Sequence, residues 1–280
     1  MLSSTLISSF ASRASLIDPN HDSALRLFNG FLEGDPNLVV DIYGRTAVLH
    51  NYADNPSDGV VSIDLRVLKE LGDLKEILLS EFNWLKAIIV KTRNAKAQNE
   101  RCGVVVYGNE PDRSIREHGA RYAIDLTMNQ DASFYLDTRD VREWAIKNLK
   151  DKSVLNTYAY TGSLGVAAMK GGASRVVHLD LSRKFLNIAK ESYTLNGFPI
   201  RQADFVAGDF YPQVSRLKRE EARFDCIFLD PPFFSTTRKG KVDLNNESHR
   251  LINKVRPLIN DGGYLVAINN ALFVSGAEYM

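Results

Sequence analysis

The stretch Phe224-Asp225-Cys226-Ile227-Phe228-Leu229-Asp230-Pro231-Pro232-Phe233 decides the fold. Residues 224–229 form a short apolar run of the kind that is buried on both faces of a parallel sheet. Two successive prolines can neither continue a sheet ladder nor enter a helix interior, so the chain turns after Asp230. Open α/β sheets build their ligand sites at the carboxyl ends of such strands. The turn therefore predicts a site for a flat group such as a nucleobase, and the alternative is a structural loop with a surface Phe.

Alternating strand and helix patterns surround this stretch from residue 153 onward. Predicted strands cover residues 153–157, 175–180, 204–207, 224–230 and 263–269, and predicted helices cover 144–149, 164–170, 183–196, 211–221 and 245–259. The alternation predicts right-handed βαβ units in an α/β domain with a doubly wound, mostly parallel, Rossmann-like sheet. Eleven residues follow Asn269 where such a domain normally adds two strands, so we expect the C-terminus to be truncated.

The first part of the chain has a different pattern. Residues 38–42, 47–52, 87–91 and 103–107 have strand character and residues 63–79 have helical spacing, which predicts a smaller α+β domain. Turn-forming residues at 108–112 indicate a boundary, and 122–126 is a further predicted strand. The predicted organisation is an N-terminal helix or extension at 1–23, the α+β domain at 24–110 and the larger domain at 111–280.

Composition excludes several classes of protein. The formal net charge of +1 favours no polyanion globally, so any such site is a local patch. Two cysteines, Cys102 and Cys226, are too few for a disulfide framework or a zinc cluster, and no metal site is predicted. No apolar run reaches membrane-spanning length. Residues 1–16 are Ser-rich, and we favour a surface helix over a transit peptide, with the cytoplasm as the compartment.

A glycine-containing loop follows the first predicted strand of the larger domain. It includes Tyr158, Tyr160, Thr161 and Gly162, and it opens a helix at the position where α/β sheets bind nucleotide-like ligands. Gly162 would let the backbone approach a ligand closely. The alternative is an ordinary helix N-terminus that Thr161 or Ser163 caps.

Acidic residues end the next two strands. Asp180 lies about 20 positions after the glycine loop, the usual place for a carboxylate that accepts from ribose hydroxyls. Asp209 could accept from an adenine amino group, and Phe210 could form a wall against the ring. Helix capping is the alternative for both carboxylates. Because the carboxyl ends of parallel strands share one edge, all these signals fit a single ligand site.

These motifs resemble class I S-adenosylmethionine-dependent methyltransferases, and their combination resembles the large-subunit ribosomal RNA methyltransferase family. The run Asn-Gln-Asp-Ala-Ser-Phe-Tyr-Leu-Asp-Thr-Arg-Asp at 129–140 is similar to the FYLDxR signature of that family. The motifs at 154–156, 160–162, 195–197 and 230–233 continue the pattern, and 26–30, 41–44 and 117–119 are similar to its central module. The similarity covers residues 24–268.

The resemblance implies a role for each motif. The cofactor would be S-adenosyl-L-methionine, held by Tyr158, Tyr160, Thr161, Gly162, Asp180, Leu181, Asp209, Phe210, Asp230 and Arg139. The catalytic turn would be Asp230, Pro231, Pro232 and Phe233. Asp137 and Arg139 would lie above the site, and a structural salt bridge is the alternative for that pair.

One departure from the family points to the reaction. Cytosine-C5 members use a cysteine thiolate from the loop after the fifth strand, because C5 needs covalent activation. Here that position reads Ile268-Asn269-Asn270-Ala271, which resembles the guanine-N7 branch. Since N7 already has a lone pair, direct transfer would suffice. The Asn pair could also be a simple turn. The chain could instead N-methylate another RNA base or a protein amide, or act as a non-catalytic RNA assembly factor.

RNA is the expected partner, and no membrane contact is expected. No RNA-binding barrel fits before Ala24, so RNA contact would fall to the small domain and to local cations. The predicted substrate-binding residues are Phe233, Asn269, Asn270, Arg238 and Lys239, and Lys241 belongs to the same basic cluster as Arg238 and Lys239. A second candidate cluster is Lys91, Arg93 and Lys96, and the alternative for each cluster is ordinary solvated surface.

Overall fold

The computed structural model describes residues 2–53 and 65–270. They divide into two compact units, one of residues up to Glu117 with Ala123–Leu136, the other of His118–Tyr122 with the chain from Asp137 onward. The predicted boundary at 110/111 differs from this division. Residues 123–136 group with the first unit because they bond to its sheet: the Tyr43 hydroxyl donates to the Phe134 carbonyl oxygen at 3.1 Å.

The first unit is built on a five-stranded sheet in the order β1-β2-β3-β4-β5, in which only β3 and β4 are parallel. Its elements are α1 (Leu2–Arg13), β1 (Ala24–Asn29), α2 (Gly30–Glu33), β2 (Leu38–Tyr43), β3 (Thr46–Asn51), α3 (Leu65–Glu81), β4 (Ala87–Thr92), α4 (Gln98–Cys102) and β5 (Val104–Tyr107). Strands β6 (Ser114–Glu117) and β7 (Ala120–Ala123) follow along the chain.

Helix α1 is part of the core of this unit. Leu6 and Phe10 are almost fully buried and pack in one cluster with strand residues such as Phe28 and Ile88. The predicted N-terminal helix is therefore present, but it is an integral element of the first unit and not a surface helix. Strand β1 was not predicted, because Ala-Leu-Arg-Leu-Phe-Asn contains no β-branched residue.

The second unit contains a five-stranded sheet in the order β10-β9-β8-β11-β14, and all of its pairs are parallel. Its elements are α5 (Arg139–Asn148), β8 (Ser153–Thr157), α6 (Ser163–Lys170), β9 (Arg175–Asp180), α7 (Arg183–Asn196), β10 (Phe205–Ala207), α8 (Phe210–Arg219), β11 (Phe224–Leu229), β12 (Phe234–Thr237), β13 (Gly240–Asp243), α9 (Leu244–Val255) and β14 (Ile259–Ala267). Short 3-10 helices lie at Ala14–Leu16, Gln202–Asp204 and Arg256–Leu258. The doubly wound α/β fold class is confirmed.

Both faces of this sheet are covered. Ile227 and Leu229 of β11 pack in a cluster with α8 and α9, while Cys226 and Phe228 pack on the opposite face with α5 and α6. Side chains alternate between the faces of a strand, so a continuous apolar run serves both clusters. The strand order reverses between β8 and β11, which makes the carboxyl ends of these strands the topological switch point.

The C-terminal part differs from its predicted pattern. The predicted helix 245–259 ends at Val255, because Pro257 cannot continue it, and β14 begins at Ile259. Gly262 lies inside this strand with φ +72°, where the pairing with β11 changes register. Strands β12 and β13 form an unpredicted antiparallel hairpin. Residues 63–64 of the predicted helix and the tail 271–280 lie outside the described residues.

Neither a membrane span nor a metal cluster occurs among the described residues. No helix in ranges 2–53 and 65–270 combines the length and the apolar character needed to cross a membrane. The same ranges contain no group of three His, Cys, Asp or Glu side chains placed to bind a metal ion.

Cys226 is buried in β11, and burial raises the pKa of its thiol to about 12, so it behaves as a small apolar core residue.

Candidate functional site

The loop after β8 has an unusual backbone. Tyr158, Tyr160 and Gly162 have φ of 51°, 49° and 80°, so three of five consecutive residues are left-handed. Each such conformation costs about 1–2 kcal/mol for a residue with a side chain. Strained backbone of this kind clusters at binding sites, where the surrounding structure holds it in place.

Asp180, the last residue of β9, holds this loop. Its two carboxylate oxygens accept from the backbone N–H groups of Tyr160 and Ser182, both at 2.8 Å, and its carbonyl oxygen accepts from Gly208 N at 2.8 Å. Burial raises the pKa of Asp180, and the two backbone hydrogen bonds oppose the rise. The ends of β8, β9 and β10 are thereby joined by the side chain and the backbone of one residue, Asp180.

The sequence predicts that Gly162 lets a ligand approach the backbone, whereas in the structure its close neighbours are protein side chains. A Cβ at this position would lie 2.6 Å from Ala189 Cβ and 3.1 Å from the His178 ring. The glycine thus allows α6 to start close against α7 and β9, and the atoms that require it belong to the protein. Gly162 is also the N-cap residue of α6, a position at which it has no side chain to cap the helix.

Asp209 and Phe210 follow β10. Asp209 is the N-cap of α8, and its Oδ1 accepts from Tyr211 N at 3.0 Å, as the capping alternative predicts. Phe210, predicted to form a wall against the adenine ring, is buried and stacks on Tyr158 with centroids 4.8 Å apart, so its ring offers little exposed surface. Leu181, by contrast, is 65% exposed directly after Asp180. An apolar surface beside the carboxylate comes from Leu181.

The Asp230 turn lies on the strand next to β8. Asn270 Nδ2 donates to Asp230 Oδ1 at 2.8 Å and to the Pro231 carbonyl oxygen at 2.9 Å. Burial raises the pKa of Asp230 to about 6; the Asn270 hydrogen bond opposes the rise, and the nearby Asp137 carboxylate adds to it. Two predicted substrate-site elements, separated by 40 residues in sequence, therefore meet at one carboxylate.

The other predicted residues differ in exposure. Pro231 is buried, Pro232 is exposed, and Phe233 is 48% exposed. Arg139 is exposed at the first position of α5, and no ion pair with Asp137 occurs among the described residues. Asn269 is half-buried after β14.

The two cationic clusters differ sharply. Arg238 and Lys239 are exposed at the tip of the β12–β13 hairpin. Lys91, predicted as a phosphate contact, is instead buried: its ammonium donates to the carbonyl oxygens of Cys102 and Asn129, and burial lowers its pKa to about 8. Arg93 pairs with Asp131 at 3.0 Å, so Lys96 is the exposed member of this cluster that forms no ion pair within the described ranges.

The hairpin and the contact of Tyr211 with it were not predicted from the sequence. The Tyr211 hydroxyl donates to the Lys241 carbonyl oxygen and thus ties the start of α8 to the hairpin. The local signal for two strands was weak, because the β-branched residues Thr236, Thr237 and Val242 do not follow a regular alternation. Nothing local in the sequence indicates the Tyr211 contact, which joins residues 30 positions apart.

The sequence of the chain is similar to proteins of a known family. Residues 89–279 match the family model described as S-adenosylmethionine-dependent methyltransferase. The chain is 32% identical over 259 residues to the ribosomal RNA large subunit methyltransferase I of Photobacterium profundum, covering 89% of this chain and 62% of that protein. The corresponding protein of Aliivibrio fischeri strain ES114 is 31% identical over 240 residues, covering 81% of this chain and 58% of that one.

A solved structure has the same fold. SMU.776, a proposed methyltransferase crystallised with SAH, superposes with a TM-score of 0.85, covering 99% of this chain and 69% of that one. Because the two sequences are only 22% identical, this similarity establishes the fold alone. The chain spans 39–63% of the length of the curated relatives it matches.

Proposed function

This chain belongs to the family of S-adenosylmethionine-dependent methyltransferases, and from that premise we propose that it methylates a base of large-subunit ribosomal RNA. Guanine N7 is the atom we favour. The observation that carries the proposal is the edge at which Asp180 joins the ends of three strands, with the Asp230 turn on the adjacent strand. The names of the two relatives support RNA as the substrate.

The residues around Asp180 fit the cofactor chemically. Each Asp180 oxygen accepts one backbone N–H and keeps a lone pair for a ribose hydroxyl. Asp209 uses Oδ1 for capping, which leaves Oδ2 for an amino group of adenine. Leu181 would cover the face of the base, and Tyr160 would border the methionine part. Gly162, Thr161, Tyr158 and Phe210 would act indirectly, by fixing the loop.

Bound S-adenosylmethionine supplies a methyl group activated by its sulfonium. The protein would hold the target base in line with that group, with Asp230, Phe233 and Asn269 as contacts and Arg139 at the rim. Guanine N7 has a lone pair in the plane of its ring and needs no covalent activation. The position after β14 carries Asn269 and Asn270 where a thiolate mechanism needs cysteine, and Cys226 is buried in β11.

A second candidate, N-methylation of an amino group, has its own observation. Asp230 Oδ1 and the Pro231 carbonyl oxygen converge on a single amide nitrogen of Asn270, at 2.8 and 2.9 Å. An exocyclic amino group of a base, or a side-chain amide of a protein, presents the same two donors. If Asn270 moved aside, such a group would be held by the same pair of acceptors.

Incubation with radiolabelled S-adenosylmethionine and deproteinised ribosomal RNA from cells lacking the protein tests the proposal. We expect label in the large-subunit RNA and, after nucleoside analysis, in 7-methylguanosine. Label in an N-methylated adenosine or guanosine amino group would favour the second candidate. Label in 5-methylcytidine would contradict both. Cofactor binding without transfer to RNA would contradict RNA methylation and leave a protein amide as the substrate of the second candidate.

A further inference from the structure

The β12–β13 hairpin presents an exposed surface directly beyond the Asp230 turn. We call Phe233, Phe234, Arg238, Lys239 and Lys241 the hairpin surface. Phe233 and Phe234 are 48% and 58% exposed, unusual for phenylalanine in a folded protein. Lys241 Nζ lies 5.3 Å from the centroid of the Phe234 ring. The surface thus combines flat apolar rings with cations.

The hairpin is fixed to the body of the second unit. Val242 and Leu244 at its base are buried in the core, and Leu244 N donates to the Phe233 carbonyl oxygen at 3.1 Å. Gly240 packs on the Tyr211 ring so closely that a Cβ there would lie 2.2 Å from a ring carbon. The hairpin surface therefore has a defined position relative to α8 and the Asp230 turn.

The charges of the hairpin surface are available to an anion. Lys241 pairs with Asp243 at 2.8 Å, whereas the described residues include no ion pair for Arg238 or Lys239 at the tip. The chain as a whole carries a formal net charge of only +1, so this positive charge is local. Phosphates with interspersed flat bases complement rings and cations in this arrangement.

We propose that the hairpin surface binds an unpaired RNA strand beside the target base, with a base stacked on Phe234 and phosphates at Arg238 and Lys239. The proposal rests on the proposed function, because it places the strand next to the base that enters the Asp230 turn. An unpaired strand fits better than a duplex, since a ring can stack only on a base whose face is open.

The test measures binding of a fluorescein-labelled oligouridylate of about 10 nucleotides by anisotropy at several salt concentrations. Arg238→Ala/Lys239→Ala should weaken binding and lower the slope of log Kd against log salt by about 1.4, two phosphates at about 0.7 each. Arg219→Ala/Arg223→Ala removes the same charge near the amino end of β11 and should leave the slope unchanged.

Substitutions of Phe234 separate stacking from charge. Phe234→Ala should weaken binding about tenfold, Phe234→Leu nearly as much, and Phe234→Tyr should bind like the wild type. S-adenosylhomocysteine should bind each variant as it binds the wild type, which verifies the fold. The inference is overturned if Phe234→Leu binds RNA normally, if both double variants behave alike, or if an oligoglutamate binds with the same dependence on Phe234.

Failure of the two proposals would look different. A wild-type protein that binds the oligouridylate through Phe234 but transfers no methyl group to ribosomal RNA would leave the hairpin inference standing and contradict the proposed function. If the wild-type protein methylates ribosomal RNA, and Phe234→Ala and Arg238→Ala/Lys239→Ala both leave kcat/KM unchanged, the hairpin inference alone is overturned.

Discussion

At the scale of single residues, the surroundings of Asp230 change the pKa of its carboxyl group. Its side chain is half-buried, and burial raises its pKa to about 6. The Asn270 amide and the nearby Asp137 charge act on it in opposite directions. A carboxyl group in this state changes protonation within the working range of most enzymes, and such groups cluster at functional sites.

The proposed role of Asp230 requires the carboxylate form, which gives a pH prediction. Because the pKa in the folded state is raised from 3.8 to about 6, this form is lost as pH falls through 6. We expect kcat/KM for methyl transfer to fall about tenfold per pH unit below 6 and to level off above it. Single-turnover assays between pH 5 and 8 measure the profile.

The Asp230→Asn variant is the matched control. We expect about 100-fold slower transfer without the step near pH 6. Because the wild-type pKa is raised, the folded state binds the proton more tightly, and wild-type stability declines as pH rises from 4 to 6. Asp230→Asn should remove that decline and leave cofactor affinity within a few-fold. A comparable loss of cofactor affinity would assign the carboxylate to the cofactor or the fold.

Gly162 is a second residue whose identity the structure explains. Gly162→Ala would force Cβ to within 2.6 Å of Ala189 at φ +80°, whereas Gly197→Ala meets no atom within 4 Å at φ +69°. We expect Gly197→Ala to cost about 1 kcal/mol of unfolding free energy, the left-handed backbone cost alone, and Gly162→Ala about 3 kcal/mol. Urea unfolding measures both, and equal losses would contradict the packing argument.

At the scale of elements, hydrogen bonds to one aspartate link neighbouring strands at each end of the sheet in the second unit. The carboxyl ends of β8, β9 and β10 meet at Asp180. At the opposite end, Asp225 Oδ2 accepts from Ser153 N and Oγ at 2.8 and 2.9 Å, and Asp225 Oδ1 accepts from Asn260 Nδ2 at 2.9 Å. One carboxylate thus joins β8, β11 and β14, and these strands position the Asp230 turn.

Asp225 should therefore contribute to stability in a pH-dependent way. Hydrogen bonds from Ser153 N and from Asn260 lower its pKa below 3.8, so its contribution is present above that value and is lost as pH falls through the depressed pKa. We expect Asp225→Ala to lower the unfolding free energy by about 1–3 kcal/mol at pH 7. Asp261→Ala, at an exposed position of β14, should change it by less than about 0.5 kcal/mol. Equal effects would contradict the role of Asp225.

At the scale of the whole molecule, two units with separate cores each contain one tryptophan. Trp84 packs against the core of the first unit, and Trp144 lies 6.5 Å from the Phe228 ring in the second. The chain has no other tryptophan. Trp84→Phe and Trp144→Phe variants would each leave a fluorescence probe of one unit.

The cofactor residues that we propose all lie in the second unit, so ligand binding should stabilise that unit selectively. S-adenosylhomocysteine at about 100 times its Kd should raise the unfolding free energy reported by Trp144 by about 2.7 kcal/mol. The Trp84 signal should shift by much less. Equal shifts, measured by urea unfolding, would mean that the units unfold together or that the ligand binds elsewhere.

Predictability from sequence differs between these scales. Helix α7 matches its predicted bounds because its signals are local: Ser182 Oγ accepts from Phe185 N at the start, and Gly197 adopts a left-handed conformation at the end. The parallel order of the strands follows from βαβ alternation, which is also local. The hairpin and strand β1 lack strong local signals, and Lys91 and Phe210 have side chains whose burial depends on distant partners.

The sequence by itself determined the α/β sheet, the loops at its edge and the family, because periodicity, capping residues and turn chemistry act over a few neighbouring positions. Only the tertiary structure decided that Gly162 serves packing, that Phe210 and Lys91 are buried, and that Asn270 meets Asp230. Those outcomes depend on which strands pair and which helices cover them, and pairing brings together residues 40 or more positions apart.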